Sequence, residues 1–303
     1  MLFYLCPSDK KVAMELLDGK ALSELIKREI GAEVSSMVAL GFKRPHLAAV
    51  LVGDDAASQV YVSNKVKACE KVGFKSTLIR KKADISQTGL NDIIDELNAN
   101  EDIDGFIVQL PLPKHLDETS VTLRIDYRKD VDGFHPMNLG RMTIGLPSFL
   151  PATPFGIMTL LDKYNIDVEG KDCVVLGRSN IVGTPISLLL SRKARPGNAT
   201  VILCHSKTRD IAYHCRQADI LVVALGSPLF VTEDMVKPGA IVVDVGMNRI
   251  NTLQGTKLVG DVDFERVAPK CSFITPVPGG VGPMTITSLL LNTLKAAKNE
   301  IYS

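Results

Sequence analysis

Short runs of β-branched and aliphatic residues alternate with helix-length segments along most of the chain, and few folds tolerate that pattern. Strands joined through helices pair in parallel, so the alternation predicts α/β construction with sheets covered on both faces. In the first half, His46–Val52 reads as a buried strand, Gln59–Val72 as a helix, Lys75–Ile79 as a strand and Leu90–Asn98 as a helix. Phe106–Leu110 reads as a third strand, stopped by Pro111-Leu112-Pro113. In the second half, Pro154 suits the first turn of a helix running to Lys163. Cys173–Leu176, Thr200–Cys204, Ile220–Ala224 and Ile241–Val245 then read as strands, with a helix over Thr184–Leu190.

Two series of elements need two cores, and a chain of 303 residues has room for both. Pro147, Pro151 and Pro154 interrupt the periodicity between them, which places a boundary at 150/151. The expected architecture is a three-layer α/β domain over 1–150 and a second α/β domain over 151–283, with a cleft between them. Met284–Lys298 reads as a helix that packs, within 284–303, back onto the first domain.

Charge excludes some partners. A net charge of +1 gives no global field for nucleic acid or a membrane surface, so an anionic ligand needs a local site. The six cysteines include no C-x-x-C pair, which predicts reduced, buried thiols rather than a metal site or a disulfide framework. No apolar run approaches the ~18 residues that span a bilayer. The opening Met1–Cys6 is apolar but has no basic residue ahead of it, and reads as an extension or a first strand. A cytoplasmic location is the expectation.

The segment from Val174 to Pro185 is strand, tight turn, then helix start. A helix N-terminus presents free N–H groups and partial positive charge, so a pyrophosphate can sit there. Gly177 permits the turn and Gly183 permits close packing of helix on strand. Ser179 occupies the second glycine position of G-x-G-x-x-G and Gly183 comes one residue late, so an ordinary strand-to-helix turn stays open as an alternative. Context favours a dinucleotide. Enzymes using the unphosphorylated form carry an acid about 20 residues on, whereas Cys173 through Arg209 contain none. Arg178 in the turn, and Ser206 after Thr200–Cys204, suit a 2′-phosphate. NADP is therefore expected, and the second domain is expected to be Rossmann-like.

Ser58 is a plausible N-cap for the helix Gln59–Val72, with Val62, Val66 and Cys69 as its core stripe. Tyr61 and Lys65, four apart, share a neighbouring face. A lysine held among apolar neighbours has its charge disfavoured and becomes useful for acid/base work. A solvated lysine beside a half-buried tyrosine is the plainer alternative. Tyr-x-x-x-Lys also resembles short-chain dehydrogenases, but there the glycine turn precedes the pair, and here it follows.

Taken in order, several segments resemble the bifunctional methylenetetrahydrofolate dehydrogenase/methenyltetrahydrofolate cyclohydrolase family. They are Tyr61–Lys65, Asp104–Pro113, Lys129–Phe134, Pro151–Pro154, Gly177–Gly183, Cys204–Ser206, Asp244–Asn248 and Pro276–Thr285. Together they span nearly the whole chain. The resemblance implies oxidation of 5,10-methylenetetrahydrofolate with NADP, then hydrolysis to 10-formyltetrahydrofolate. It implies that Lys65 is the central catalytic group, Gln109 its hydrogen-bond partner, Tyr61 the residue stacked on folate and Asp132 the holder of the pterin. Val108 and Leu110 would flank the substrate, with Pro278, Gly279, Gly280, Val281 and Gly282 closing over it. Gly177, Arg178, Ser179, Ile181, Val182, Gly183 and Ser206 would bind NADP, and Met247 would line its pocket. A homodimer is implied; no metal, nucleic-acid or membrane partner is.

These residue types suit the chemistry. A pterin edge offers an amino group beside a ring N–H, and one carboxylate can accept from both. The methenyl intermediate is a delocalised cation attacked by water, which a neutral lysine can assist, or a charged one can stabilise afterwards. Hydride transfer needs alignment rather than a protein acid. Each residue also has a plainer reading: Gln109 as a loop anchor, Asp132 as a turn residue, the three loop glycines as a hinge. An NADP oxidoreductase for a small hydroxy or keto acid, a ligand-binding regulator without turnover, and a single-activity enzyme remain as rivals. The basic stretch Ser191–Asn198 is expected to be a surface loop, and 303 residues leave no room for a synthetase domain.

Overall fold

A computed structural model describes residues 14–252 and 255–302; the opening Met1–Cys6 lies outside them. Its first half runs β1 (Glu15–Leu16), α1 (Gly19–Ala39), β2 (His46–Val52), α2 (Ala56–Lys71), β3 (Lys75–Lys81), α3 (Gln87–Ala99), β4 (Gly105–Val108), α4 (Glu118–Arg124) and α5 (Pro136–Thr143). Its second half runs α6 (Ala152–Lys163), β5 (Asp172–Leu176), α7 (Gly183–Ser191), β6 (Thr200–Cys204), α8 (Ile211–Gln217), β7 (Ile220–Val223) and β8 (Ile241–Asp244). There follow β9 (Asn248–Thr252), β10 (Gly255–Val259), α9 (Phe264–Val267), β11 (Phe273–Ile274) and α10 (Val281–Ala297).

The first sheet is parallel in the order β3-β2-β4. Every residue of β2 is buried, because successive side chains point to opposite covered faces. Leu47, Ala49 and Leu51 join Leu22, Ile26 and Ile30 of α1 and Val62 and Cys69 of α2. Ala48, Val50 and Val52 join Leu90 and Ile94 of α3 and Val121 of α4. This is the expected three-layer arrangement. The second sheet has the order β1-β11-β8-β7-β5-β6, with its pairings parallel. Cys173 and Val175 face one apolar layer, Val174 and Leu176 the other. One layer is common to both halves: it contains Leu47 and Leu51 together with Ile157 of α6, Val175 of β5 and Leu289 of α10. Helix α10 packs on α6, α1 and α2, and touches β2 and β4.

Several boundaries differ from the sequence reading. Helix α2 starts three residues before Gln59, and Asp55, not Ser58, is its N-cap: the Asp55 carboxylate accepts from Ser58 N at 2.7 Å. Ala56 and Ala57 are good helix formers and fill the extra turn. Helix α3 also starts earlier than Leu90, because Ser86 Oγ accepts from Gly89 N. β4 covers Gly105–Val108 rather than Phe106–Leu110, β3 runs on to Lys81, and β7 and β8 each end one residue sooner. Helix α10 starts at Val281, not Met284, with Gly280 as its cap. Helices α1, α4, α5 and α8 and the β9–β10 hairpin have no counterpart in that reading. Among the described residues, no helix is long and apolar enough to cross a membrane, and Cys69, Cys173, Cys204, Cys215 and Cys271 are unpaired and buried.

Candidate active site

Helix α2 lies against β3 and α10, so residues on its inner face leave solvent. Lys65 is only 5% exposed. Its Nζ donates to Gln109 Oε1 at 3.1 Å and stands 5.1 Å from the centre of the Tyr61 ring. Burial pulls the ammonium below the usual lysine range, with Asp132 acting in the opposite sense. Burial likewise pushes the Tyr61 phenol up to about 12, partly offset by the Thr285 hydroxyl of α10 and reinforced by Asp132. Gln109 is fixed from its other end, its Nε2 donating to Leu110 O at 2.6 Å. A buried amine, an amide, a phenol and a carboxylate therefore share one neighbourhood. Val108 does not join them through its side chain, which is part of the apolar layer under α3.

Asp132 sits on a braced loop. Its neighbour Asp130 is buried and accepts from Gly133 N (3.1 Å), His135 N (2.7 Å) and Asn138 Nδ2 (2.9 Å). Burial raises the Asp130 pKa, while the His135 N–H and the Asn138 amide oppose it. Asn292 of α10 donates to Val131 O at 2.8 Å and to Leu150 O at 2.9 Å, pinning the loop from behind. Gly133 has φ of 76°, and a Cβ there would overlap the Leu150 and Pro151 backbone.

The second half meets this site through its own rim. Gly177, at φ 104°, turns the chain at the end of β5, and Gly183 approaches the Gly177 carbonyl so closely that a Cβ would overlap it. Ser179 Oγ accepts from Val182 N at 3.2 Å and Gly183 N at 3.4 Å. Arg178, Ser179, Ile181 and Ser206 are exposed around the turn, and Val182 is half-buried. That glycine-closed cradle, with an exposed guanidinium and no acid on the neighbouring β6, fits a phosphorylated dinucleotide. Beside it, Asp261 accepts from Leu225 N (2.7 Å), Gly226 N (2.9 Å) and Asn248 Nδ2 (2.8 Å). Asp244 accepts from Gly246 N (2.9 Å), Asp261 N (3.0 Å) and Val262 N (3.0 Å). These bonds set the 246–248 turn, and Met247 reaches from it to Gly282, whose added Cβ would lie 3.2 Å from the methionine Cε. The 276–282 loop leads into α10 and so to Thr285 beside Tyr61. Within it Pro278 is exposed, Gly279 and Gly282 are half-buried, and Gly280 and Val281 are buried; Gly279 O accepts from Lys20 N at 2.8 Å.

The description "Tetrahydrofolate dehydrogenase/cyclohydrolase, catalytic domain" matches residues 17–132, and the same family's "NAD(P)-binding domain" matches 151–301. The chain belongs to the tetrahydrofolate dehydrogenase/cyclohydrolase family. A relative called bifunctional protein FolD, from Phocaeicola vulgatus, is 60% identical over 292 residues, covering 95% of this chain and 100% of that protein. The crystal structure of the bifunctional FolD enzyme of Campylobacter jejuni aligns with a TM-score of 0.90 at 50% identity, over 95% of this chain and 100% of that one. That of the Trypanosoma brucei dehydrogenase-cyclohydrolase, complexed with NADP and an inhibitor, aligns at 0.89 and 36% identity, over 96% and 99%.

Within this family fold, sequence reasoning singles out Lys65, Gln109, Tyr61 and Asp132, and the structure brings them together. That reasoning assigns no role to Thr285, Asp130, Asn292, Asp244 or Asp261, although Thr285, Asp130 and Asp244 fall within the segments that carry the resemblance. A carboxylate closing an otherwise apolar strand, as Asp244 closes β8, is a local signal for that residue; Asp261 has no such signal.

Proposed function

We propose that the chain oxidises 5,10-methylenetetrahydrofolate to 5,10-methenyltetrahydrofolate with NADP and then hydrolyses the product to 10-formyltetrahydrofolate. The observation that carries this reading is the buried Lys65 amine, bonded to Gln109 and set beside Tyr61, on a helix that meets α10. The relatives called bifunctional support both activities, and the NADP complex of the Trypanosoma brucei relative supports the cofactor.

In this reading Tyr61 offers its ring face to the folate, and Asp132 accepts from the amino group and ring N–H of the pterin. The main chain around Val108 and Leu110 flanks the substrate, and Pro278, Gly279, Gly280, Val281 and Gly282 cover it. Arg178 and Ser206 hold the 2′-phosphate. Gly177, Ser179, Ile181, Val182 and Gly183 shape the pyrophosphate cradle, with Met247 at its edge. NADP, when bound, supplies the hydride acceptor. For hydrolysis, burial favours a neutral Lys65, which takes a proton from the water attacking the methenyl carbon. The resulting ammonium returns that proton to the ring nitrogen released when the five-membered ring opens, while the hydroxyl proton of the adduct leaves to solvent. Gln109 Oε1 holds the amine in line through both transfers.

The reading divides the chain at 150/151 into a catalytic and an NADP-binding domain. It extends to a homodimer, for which the open edge strand β6 with exposed Ile202 is suitable. A cytoplasmic location agrees with five unpaired, buried thiols. The test is a spectrophotometric assay of the purified chain on 5,10-methylenetetrahydrofolate with NADP and NAD in parallel. Nicotinamide reduction with NADP, followed by decay of added methenyl compound faster than the buffer rate, is the expected result. Reduction with a hydroxy acid but not with the folate would overturn it.

A further inference from the structure

The basic stretch Ser191–Asn198 takes no part in the site above. It feeds the start of β6, whereas the glycine turn leaves the end of the neighbouring parallel strand β5, so the two lie at opposite ends of the strands. Arg192 and Lys193 border a cavity of about 580 Å³ between the halves, faced by the 142–148 segment, which runs from the last residues of α5 into the following turn, and by Lys295 of α10. Lys295 is ten residues beyond Thr285, about 15 Å along the helix, so this is not the Lys65 pocket.

Charge and hydrogen bonding agree about its occupant. Among the described residues, none of the three cations lining the cavity forms an ion pair with a carboxylate. Glu300 acts on Lys295 but is itself paired with Lys298. Burial pulls both the Arg192 guanidinium and the Lys295 ammonium below their ordinary ranges. Among the described residues three buried side-chain atoms lack a hydrogen-bond partner, and two of them, Arg192 Nε and Ser148 Oγ, belong to residues of this cavity. Ser148 is only 8% exposed. Arg192 and Lys295 are half-buried and Lys193 is exposed, and the Lys295 ammonium stands 4.9 Å from the centre of the Phe155 ring. The partnerless Arg192 Nε and Ser148 Oγ are costly to leave unmet, and one ligand with several acceptor oxygens would satisfy them beside the two lysines. Ile144 and Leu146 add apolar surface on the same rim.

We infer that this cavity binds a small multivalent oxyanion, a phosphate ester or a polycarboxylate, gripped by Arg192, Lys193, Lys295 and the Ser148 hydroxyl. Because the walls come from both halves, the bound anion ties the 142–148 segment to the end of α7. The experiment is calorimetric titration of the full chain, saturated with NADP so that the Arg178 turn does not compete, using inorganic phosphate and citrate as separate probes. The expected result is one site per chain for at least one probe, with affinity lowered about tenfold or more in Arg192→Gln and in Lys295→Met. Tighter phosphate binding points to a phosphate ester, and tighter citrate binding to a polycarboxylate. Lys193→Gln, at an exposed position, gives the same reading should either half-buried variant misfold. No binding of either probe, or equal affinity in wild type and variants, overturns the proposal.

Discussion

Lys65 combines two properties that usually exclude each other: an ionisable amine and burial to 5% exposure. Desolvation is the largest influence on it and favours the neutral form. The sign follows: a base whose folded pKa is depressed weakens the fold wherever the unfolded lysine would be charged, which includes neutral pH. Lys65→Met keeps the volume and removes the amine. Methenyl hydrolysis should be lost while NADP affinity, measured by titration, stays near wild type. The same variant should be more stable in chemical denaturation at neutral pH, because folding then no longer strips the charge from a lysine. Hydrolysis at the wild-type rate would remove Lys65 from the mechanism. Lower stability would show that its amine is well compensated where it lies.

The elements explain why the site was partly legible. Tyr61 and Lys65 share a face because they are one helical turn apart, which local pattern finds, whereas Gln109, after an apolar strand, is singled out only by the family resemblance. Helix α1 was equally readable, since Leu22, Ile26, Ile30 and Val34 recur every four residues and are all buried. What local pattern cannot find is a role set by a distant element. Asp130 and Asp132 look alike in Asp130-Val131-Asp132-Gly133, yet Asn138 of α5 and the His135 N–H make Asp130 a structural anchor. Asn292 is a lone amide on an apolar helix until the fold puts Val131 O and Leu150 O within its reach. Replacing it with leucine, of similar size, takes the donor from the buried Val131 carbonyl and the part-buried Leu150 carbonyl, so Asn292→Leu should cost about 2–4 kcal/mol of stability. Because Val131 precedes Asp132, KM for the folate should rise well before NADP affinity changes. Parallel loss of both would place the role of Asn292 in the shared core instead of the loop.

At the scale of the molecule, the two halves share an apolar layer through α1, α6 and α10, so the rim of one half depends on the stability of the whole. Asp244 and Asp261 stand at that rim, 3% and 0% exposed, and brace the turns that carry Leu225, Gly226 and Met247. Burial pushes the Asp244 carboxyl up to about 6, against three backbone N–H donors and with Asp261 adding to the rise. An acid whose folded pKa is raised binds its proton more tightly when folded. Its contribution to stability is then full below the unfolded value near 3.8 and is lost as pH climbs through about 6. Over that window the loss amounts to about 3 kcal/mol. Asp244→Asn does not titrate, so it removes this pH dependence whatever its fixed cost in altered hydrogen bonds. Denaturation of both proteins from pH 4 to pH 7.5 should therefore show the wild type losing ground to the variant as pH rises. A difference that stays flat, or that grows in favour of the wild type, would mean the three backbone donors outweigh burial and keep Asp244 ionised throughout.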